Sequence, residues 1–181
     1  MKKIVLLLTL LFLIITSAYA SIPELEYSAS KDQRITDDDV RRVAVEKSII
    51  PKDADEKFLD EEIKNKHSIT AWIVTNHKDK VSTIEHLREL FRKDGVTIKL
   101  ASKYYVNEIN GVIYNSIIGD DITPVNKKGV LNIFKTIAIM EGDYDNGKNK
   151  VELAKEHMGQ DIFKIYKVKY PEKYKKLLLA Q

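Results

Sequence analysis

The chain has 181 residues, of which 44% are hydrophobic and 31% charged, with no cysteine and a formal net charge of +3. That is the size of one ordinary domain, and its apolar share, with only 7 Gly and 4 Pro, excludes a wholly disordered chain. The missing thiol excludes disulfides, thiolate metal sites, haem attachment through paired cysteines, a cysteine nucleophile and a lipid anchor on cysteine.

The first twenty residues read as a signal peptide. Lys2 and Lys3 precede a segment, Ile4 to Ile15, that is apolar except for Thr9, and Ala18-Tyr19-Ala20 places small residues at the two positions signal peptidase reads. A core of about 12 residues is too short to cross a bilayer, which takes roughly 20. Cleavage is expected after Ala20. It removes two lysines and no acid, leaving 28 basic and 27 acidic residues. So balanced a remainder gives no support to a broad cationic surface for nucleic acid. The charge is nevertheless uneven, with 13 acids against 9 bases over 21–66 and 14 acids against 19 bases over 67–181. A domain this long can fold without disulfides, and the absence of cysteine and of any Asn-x-Ser/Thr sequon favours a bacterial envelope, periplasmic or released.

Residues 21–35 are polar and aperiodic, as in a flexible leader. Thr36 followed by Asp37, Asp38 and Asp39 is a helix start, because Thr36 can cap free amides while the acids face the positive end of the helix dipole. That helix is expected to stop before Pro51. A second follows from near Asp53 to Asn65, with Phe58, Leu59 and Ile63 on one side. Residues 68–75 are β-branched and aromatic without clean alternation, and fit a helix or a buried strand. Ser82 with Glu85 forms a capping box for a helix through Arg92, stopped by Gly95, and 96–100 suits a short strand.

Residues 103–118 pose a choice between a hairpin turning at Asn110-Gly111 and a helix. On a helical wheel Tyr105, Val106, Ile109, Val112, Ile113 and Ile117 fall within an arc of about 140°, which favours a helix begun by Ser102 and ended by Gly119. Lys103, Asn107, Asn110 and Asn115 lie outside that arc. Gly111 would then cost about 1 kcal/mol against alanine, which is tolerable if another helix crosses closely there. After a loop at Thr123-Pro124, Gly129 to Met140 is apolar on nearly every side and belongs at the centre of a bundle. Asn149 and Glu152 open the next helix, which ends at Gly159. The last begins near Asp161 and is kinked or interrupted at Pro171. The expected fold is mainly α: a single domain over 36–181, a bundle of six or seven helices with at most a minor β element near 68–75 and 96–100.

Three groups of residues bear on function. Glu141, Asp143, Asp145 and Glu152 stand at positions 1, 3, 5 and 12 of a calcium loop, but position 6 is Asn146, not glycine, and Lys148 and Lys150 bring positive charge. The competing reading is a helix connector in which Asn146-Gly147 turns and Asn149 caps. Glu108, among Tyr104, Tyr105 and Tyr114, is a candidate catalytic acid for hydrolysis, with solvent exposure on the polar edge of its helix as the alternative. Tyr166, Tyr170 and Tyr174 recur every four residues among lysines that include Lys167 and Lys173. They suit either contact with an anionic surface or a terminal helix packed on the bundle. His67, His77, His86 and His157 lack metal-site spacing, and no phosphate-binding, dinucleotide-binding or nucleophile-elbow motif occurs. The expected function is that of an exported, non-catalytic protein binding another protein or an envelope surface. A carboxylate hydrolase and a calcium-binding domain are the alternatives, with Ca²⁺ the one cofactor suggested.

Overall fold

Thr36 starts the first described helix by a reciprocal pair of bonds. Its hydroxyl accepts from the Asp39 amide at 3.1 Å, and its own amide donates to the Asp39 carboxylate at 3.0 Å, satisfying two groups that a helix end leaves open. The computed structural model describes residues 35–54, 68–120 and 122–180, all within one unit spanning Gln33–Gln181. The expected signal peptide, the leader up to residue 34, and the second helix with Phe58, Leu59 and Ile63 lie outside the described residues.

The described residues form eight helices in chain order: α1 (Asp37–Glu46), α2 (Ile69–Val74), α3 (His77–Lys93), α4 (Ser102–Ile118), α5 (Ile122–Met140), α6 (Lys150–Met158), α7 (Gln160–Lys169) and α8 (Pro171–Leu179). The chain is mainly helical, as the apolar periodicity indicates. Helix α4 packs on α1, α3 and α5, and α5 packs on α2, α4, α6 and α8. The nearly all-apolar stretch of α5 therefore does sit in the middle. Val130, Phe134 and Ala138 are fully buried, and the Phe134 ring meets Tyr105 edge-on at 4.6 Å and Phe91 at 5.7 Å.

Several local expectations change. Residues 69–74 are helical, because Ser68 caps the Ala71 amide and the chain then buries Ile69, Trp72, Ile73 and Val74 together. The β element near 96–100 reduces to one antiparallel bridge between Thr97 and Asp145. Helix α3 starts at His77, not at Ser82. Asn76 accepts from the Asp79 amide at 3.0 Å, so an equally good cap six residues upstream wins and Ser82 lies inside the helix. Ala101, not Ser102, caps α4, and it makes no side-chain bond; the Ser102 hydroxyl instead receives Arg88. Thr123-Pro124 falls in the first turn of α5, where proline costs no helical hydrogen bond, and the break comes at Gly129, with φ +67°. Pro171 interrupts the C-terminal helix and starts α8. Among the described residues nothing beyond its own helix backbone and chain neighbours lies within 4 Å of where a Cβ would stand at Gly111, so no close crossing there requires that glycine.

One largely buried polar arrangement joins four helices. Lys80 of α3 has no solvent exposure, and its ammonium donates to Asp37 of α1 at 2.6 Å. The same Asp37 oxygen accepts from Asn110 Nδ2 of α4 at 2.7 Å, and Asn110 Oδ1 accepts from the Trp72 indole of α2 at 2.9 Å. Indole only donates and carboxylate only accepts, so the two neighbours fix the amide's orientation between them. His77 Nδ1 lies 2.9 Å from the other Asp37 oxygen. Burial pushes the Asp37 carboxyl up. Its bonds to Lys80 and Asn110, the Lys80 charge and the bond to His77 together outweigh that, and hold it below the usual carboxylate range. Burial also lowers the Lys80 ammonium, against the pull of Asp37.

Removing Asp37 strands a buried cation. Asp37→Ala is expected to lose about 3–5 kcal/mol in urea unfolding, and Lys80→Met less, since Asp37 is 24% exposed and keeps Asn110 and His77. The double variant should lose less than the two single losses combined. Because the folded Asp37 value is depressed, its contribution is complete above about pH 4, the unfolded value, and is lost as pH falls through the folded one. Asp37→Asn should flatten that acid limb.

Candidate functional site

The loop between α5 and α6 is held by its acids, each with a different partner. Asp143 accepts from the Lys99 and Leu100 amides, both at 2.9 Å, and from the Tyr105 hydroxyl at 2.5 Å. One carboxylate thus ties this loop to the 99–100 segment and to the buried face of α4. Burial, followed by the nearby Asp143 charge, raises the Tyr105 phenol far above its ordinary value. Asp145 accepts from the Gly147 amide at 3.1 Å and pairs with Lys150 at 3.0 Å, and these contacts hold it below the usual range. Lys150 also donates to the Tyr144 carbonyl. Gly147 takes φ +77°, and Asn149 caps α6 through the Val151 and Glu152 amides. These are the features of an Asx-rich connector. Glu152 lies 3.6 Å from Lys155, and Glu141 faces Lys173. Among the described residues no three acidic or histidine side chains gather where they could hold a metal ion.

Glu108 and Glu141 do come together. Lys173 of α8 lies 2.8 Å from Glu141 Oε1 and 3.6 Å from Glu108 Oε2, so the two carboxylates are no farther apart than these two contacts allow. Glu108 is mostly covered, not openly solvated, because α8 brings this lysine against the polar edge of α4. A single ammonium between two acids joins α4, the end of α5 and α8. Two shallow depressions, of about 240 and 280 Å³, lie between α3 and 96–98 and beside the 145–150 loop; Glu108 lines neither.

The C-terminal tyrosines divide. Tyr166 is buried and donates to the Met140 carbonyl at 3.1 Å, and burial, followed by the Glu141 charge, pushes its phenol up to about 12. Tyr174 is half-buried beneath Lys167, whose ammonium stands 4.8 Å above the ring, and Tyr170 is exposed. Tyr166, Tyr174 and Lys173 therefore anchor the arm to the bundle, while Lys167 and Tyr170 stand on its outside.

The outward side of α7 was not singled out by the tyrosine–lysine spacing. Phe163 and Tyr166 point inward, whereas Ile162, Ile165 and Val168 recur every three residues at 61%, 62% and 85% exposure. Leu178 and Leu179 are exposed at the end of α8. Lys164, Lys167, Lys175 and Lys176 are exposed on the same two helices. The legible signal was that α7 is apolar over more of its circumference than one buried face requires. An apolar row left in water with lysines around it is suited to contact. No family model, no curated protein and no solved structure matches the chain.

The role of Asp143 as a tie between segments gives a direct test. Asp143→Ala should lose about 3 kcal/mol in urea unfolding with a chelator present, since a charged acceptor of three bonds disappears and the Tyr105 hydroxyl is left buried. Tyr105→Phe should lose only about 1 kcal/mol, because both amide bonds remain.

Proposed function

We propose that this chain is an exported, non-catalytic helical protein of the cell envelope that works by binding, through the outward face of α7 and α8. One observation carries the reading: the row Ile162, Ile165 and Val168, exposed on a helix whose opposite side is firmly packed through Phe163 and Tyr166. Leaving such a row in water has no folding benefit, so it fits a surface that is covered in use. The N-terminal pattern of Lys2, Lys3, an apolar core and Ala18-Tyr19-Ala20 supports export. Lys173 between Glu108 and Glu141 supports binding over hydrolysis, because a catalytic pair must leave room for substrate where that ammonium sits.

The test is expression with the chain's own N terminus in a bacterial host, followed by fractionation and N-terminal sequencing. The protein is expected in the envelope fraction, beginning at Ser21. Ile162→Ser/Ile165→Ser/Val168→Ser should release it into the soluble periplasmic or secreted pool. An uncleaved protein in the cytosol, or retention indifferent to the triple substitution, would contradict the reading.

A further inference from the structure

The outward face of α7 carries charge as well as apolar surface, and that combination selects among occupants. Residues 160–181 contain six lysines and only two acids, Asp161 and Glu172. Asp161 pairs with Lys164 at 3.2 Å, within the helix itself. Lys173 is turned to Glu141 and Glu108, and among the described side chains Lys164, Lys167, Lys175 and Lys176 are exposed. A second copy of the chain docked face to face would set these lysines against their own counterparts, and like charges across a symmetric contact repel. An acidic surface is the complementary one.

The shape of the element narrows the choice further. Helix α7 has 10 residues, about 15 Å of length, half a bilayer's hydrocarbon core, so it can lie on a membrane but not cross it. No described helix is long and apolar enough to span. Ile162, Ile165 and Val168 form a stripe along the helix, not a pocket, and suit shallow insertion among acyl chains with lysines at headgroup level. The exposed Tyr170, with an apolar ring and a polar tip, fits the boundary between the two. The buried side of α7 is already tied to the bundle through Phe163 and Tyr166, so the stripe is held in place before it meets any surface.

Resting on the binding role proposed above, we infer that the occupant is an anionic phospholipid surface: α7 docks parallel to the bilayer by inserting Ile162, Ile165 and Val168, while Lys164, Lys167, Lys175 and Lys176 neutralise headgroup phosphates. The attachment is peripheral and salt-sensitive.

The experiment uses the exported protein and sucrose-loaded vesicles of phosphatidylcholine with or without phosphatidylglycerol. Wild type should sediment with the anionic vesicles at least tenfold more tightly than with the neutral ones, and 0.5 M salt should release most of it. Ile162→Ser/Ile165→Ser/Val168→Ser should weaken anionic binding at least tenfold, and Lys164→Gln/Lys175→Gln/Lys176→Gln should remove most of the preference for anionic lipid. Both variants share the wild-type N terminus, so binding from that end is common to all three proteins. All six positions are exposed, and unchanged far-ultraviolet dichroism and melting should confirm that the fold is kept. Because the chain lacks cysteine, Val168→Cys accepts a single environment-sensitive dye, whose emission should shift to the blue on anionic vesicles.

Absence of vesicle binding, with envelope retention still lost in the apolar triple variant, would overturn the lipid inference and leave the binding role standing with a protein partner. Concentration-dependent dimerisation lost in that variant, without vesicle binding, would overturn it in favour of a second copy. Loss of both vesicle binding and row-dependent retention would remove the inference and the role together.

Discussion

Lys80 carries a full charge into a place with no solvent, and the arrangement of the helices around it follows from that constraint. An ammonium taken from water must find a carboxylate and keep it close, or the desolvation penalty of several kcal/mol stays uncompensated. Asp37 supplies the charge, and its place in the first turn of α1 adds the favourable end of that helix's dipole. Asn110 then relays the interaction to the Trp72 indole. Each link fixes a donor or acceptor on a different helix, so α1, α2, α3 and α4 can meet in few other ways without orphaning a buried polar group. Apolar packing supplies attraction of no particular direction. This chain of polar bonds supplies the register.

The other half of the fold is fastened on the same principle with different chemistry. Asp143 stitches the loop after α5 to Lys99 and Leu100, and its bond to the Tyr105 hydroxyl reaches the α4 face that packs on Phe134. Lys173 and Tyr166 then bind the C-terminal helices to α4 and to the end of α5. The acids that lie at calcium-loop spacing in sequence thus have separate partners, and Glu108 shares Lys173 with one of them, Glu141. What the packing leaves over is the outward side of α7, and the proposed function rests there.

Much of the helical framework was legible because its signals are local. The Thr36–Asp39 box, the apolar arc of residues 105–117, the dense apolar run after Gly129 and the Asn149 cap each act within a turn or two. Where two local signals competed, spacing could not rank them. Asn76 with Asp79 and Ser82 with Glu85 offer the same chemistry six residues apart, and only the packed chain shows that the helix extends to the earlier one. Asn110 was hidden for a different reason: a wheel sorts it with the polar residues, yet it is 1% exposed because its partners lie 38 and 73 positions away. The tyrosine and lysine rhythm of the C terminus could not show which of these side chains the bundle would cover. Tyr166 is buried and Tyr174 half-buried, whereas Tyr170 is exposed together with Ile162, Ile165 and Val168.

The meeting of α1, α2, α3 and α4 depends on the polar relay through Asn110 more than on any single apolar contact. Trp72, the chain's single tryptophan, reports on it directly. The decisive measurement is the emission spectrum and urea midpoint of Asn110→Ala beside wild type at neutral pH. An indole deprived of its acceptor and opened to water should emit at longer wavelength, with folded stability lower by about 2–4 kcal/mol and helical dichroism retained in the absence of urea. Emission and midpoint both unchanged would contradict the claim that this relay sets how the four helices meet.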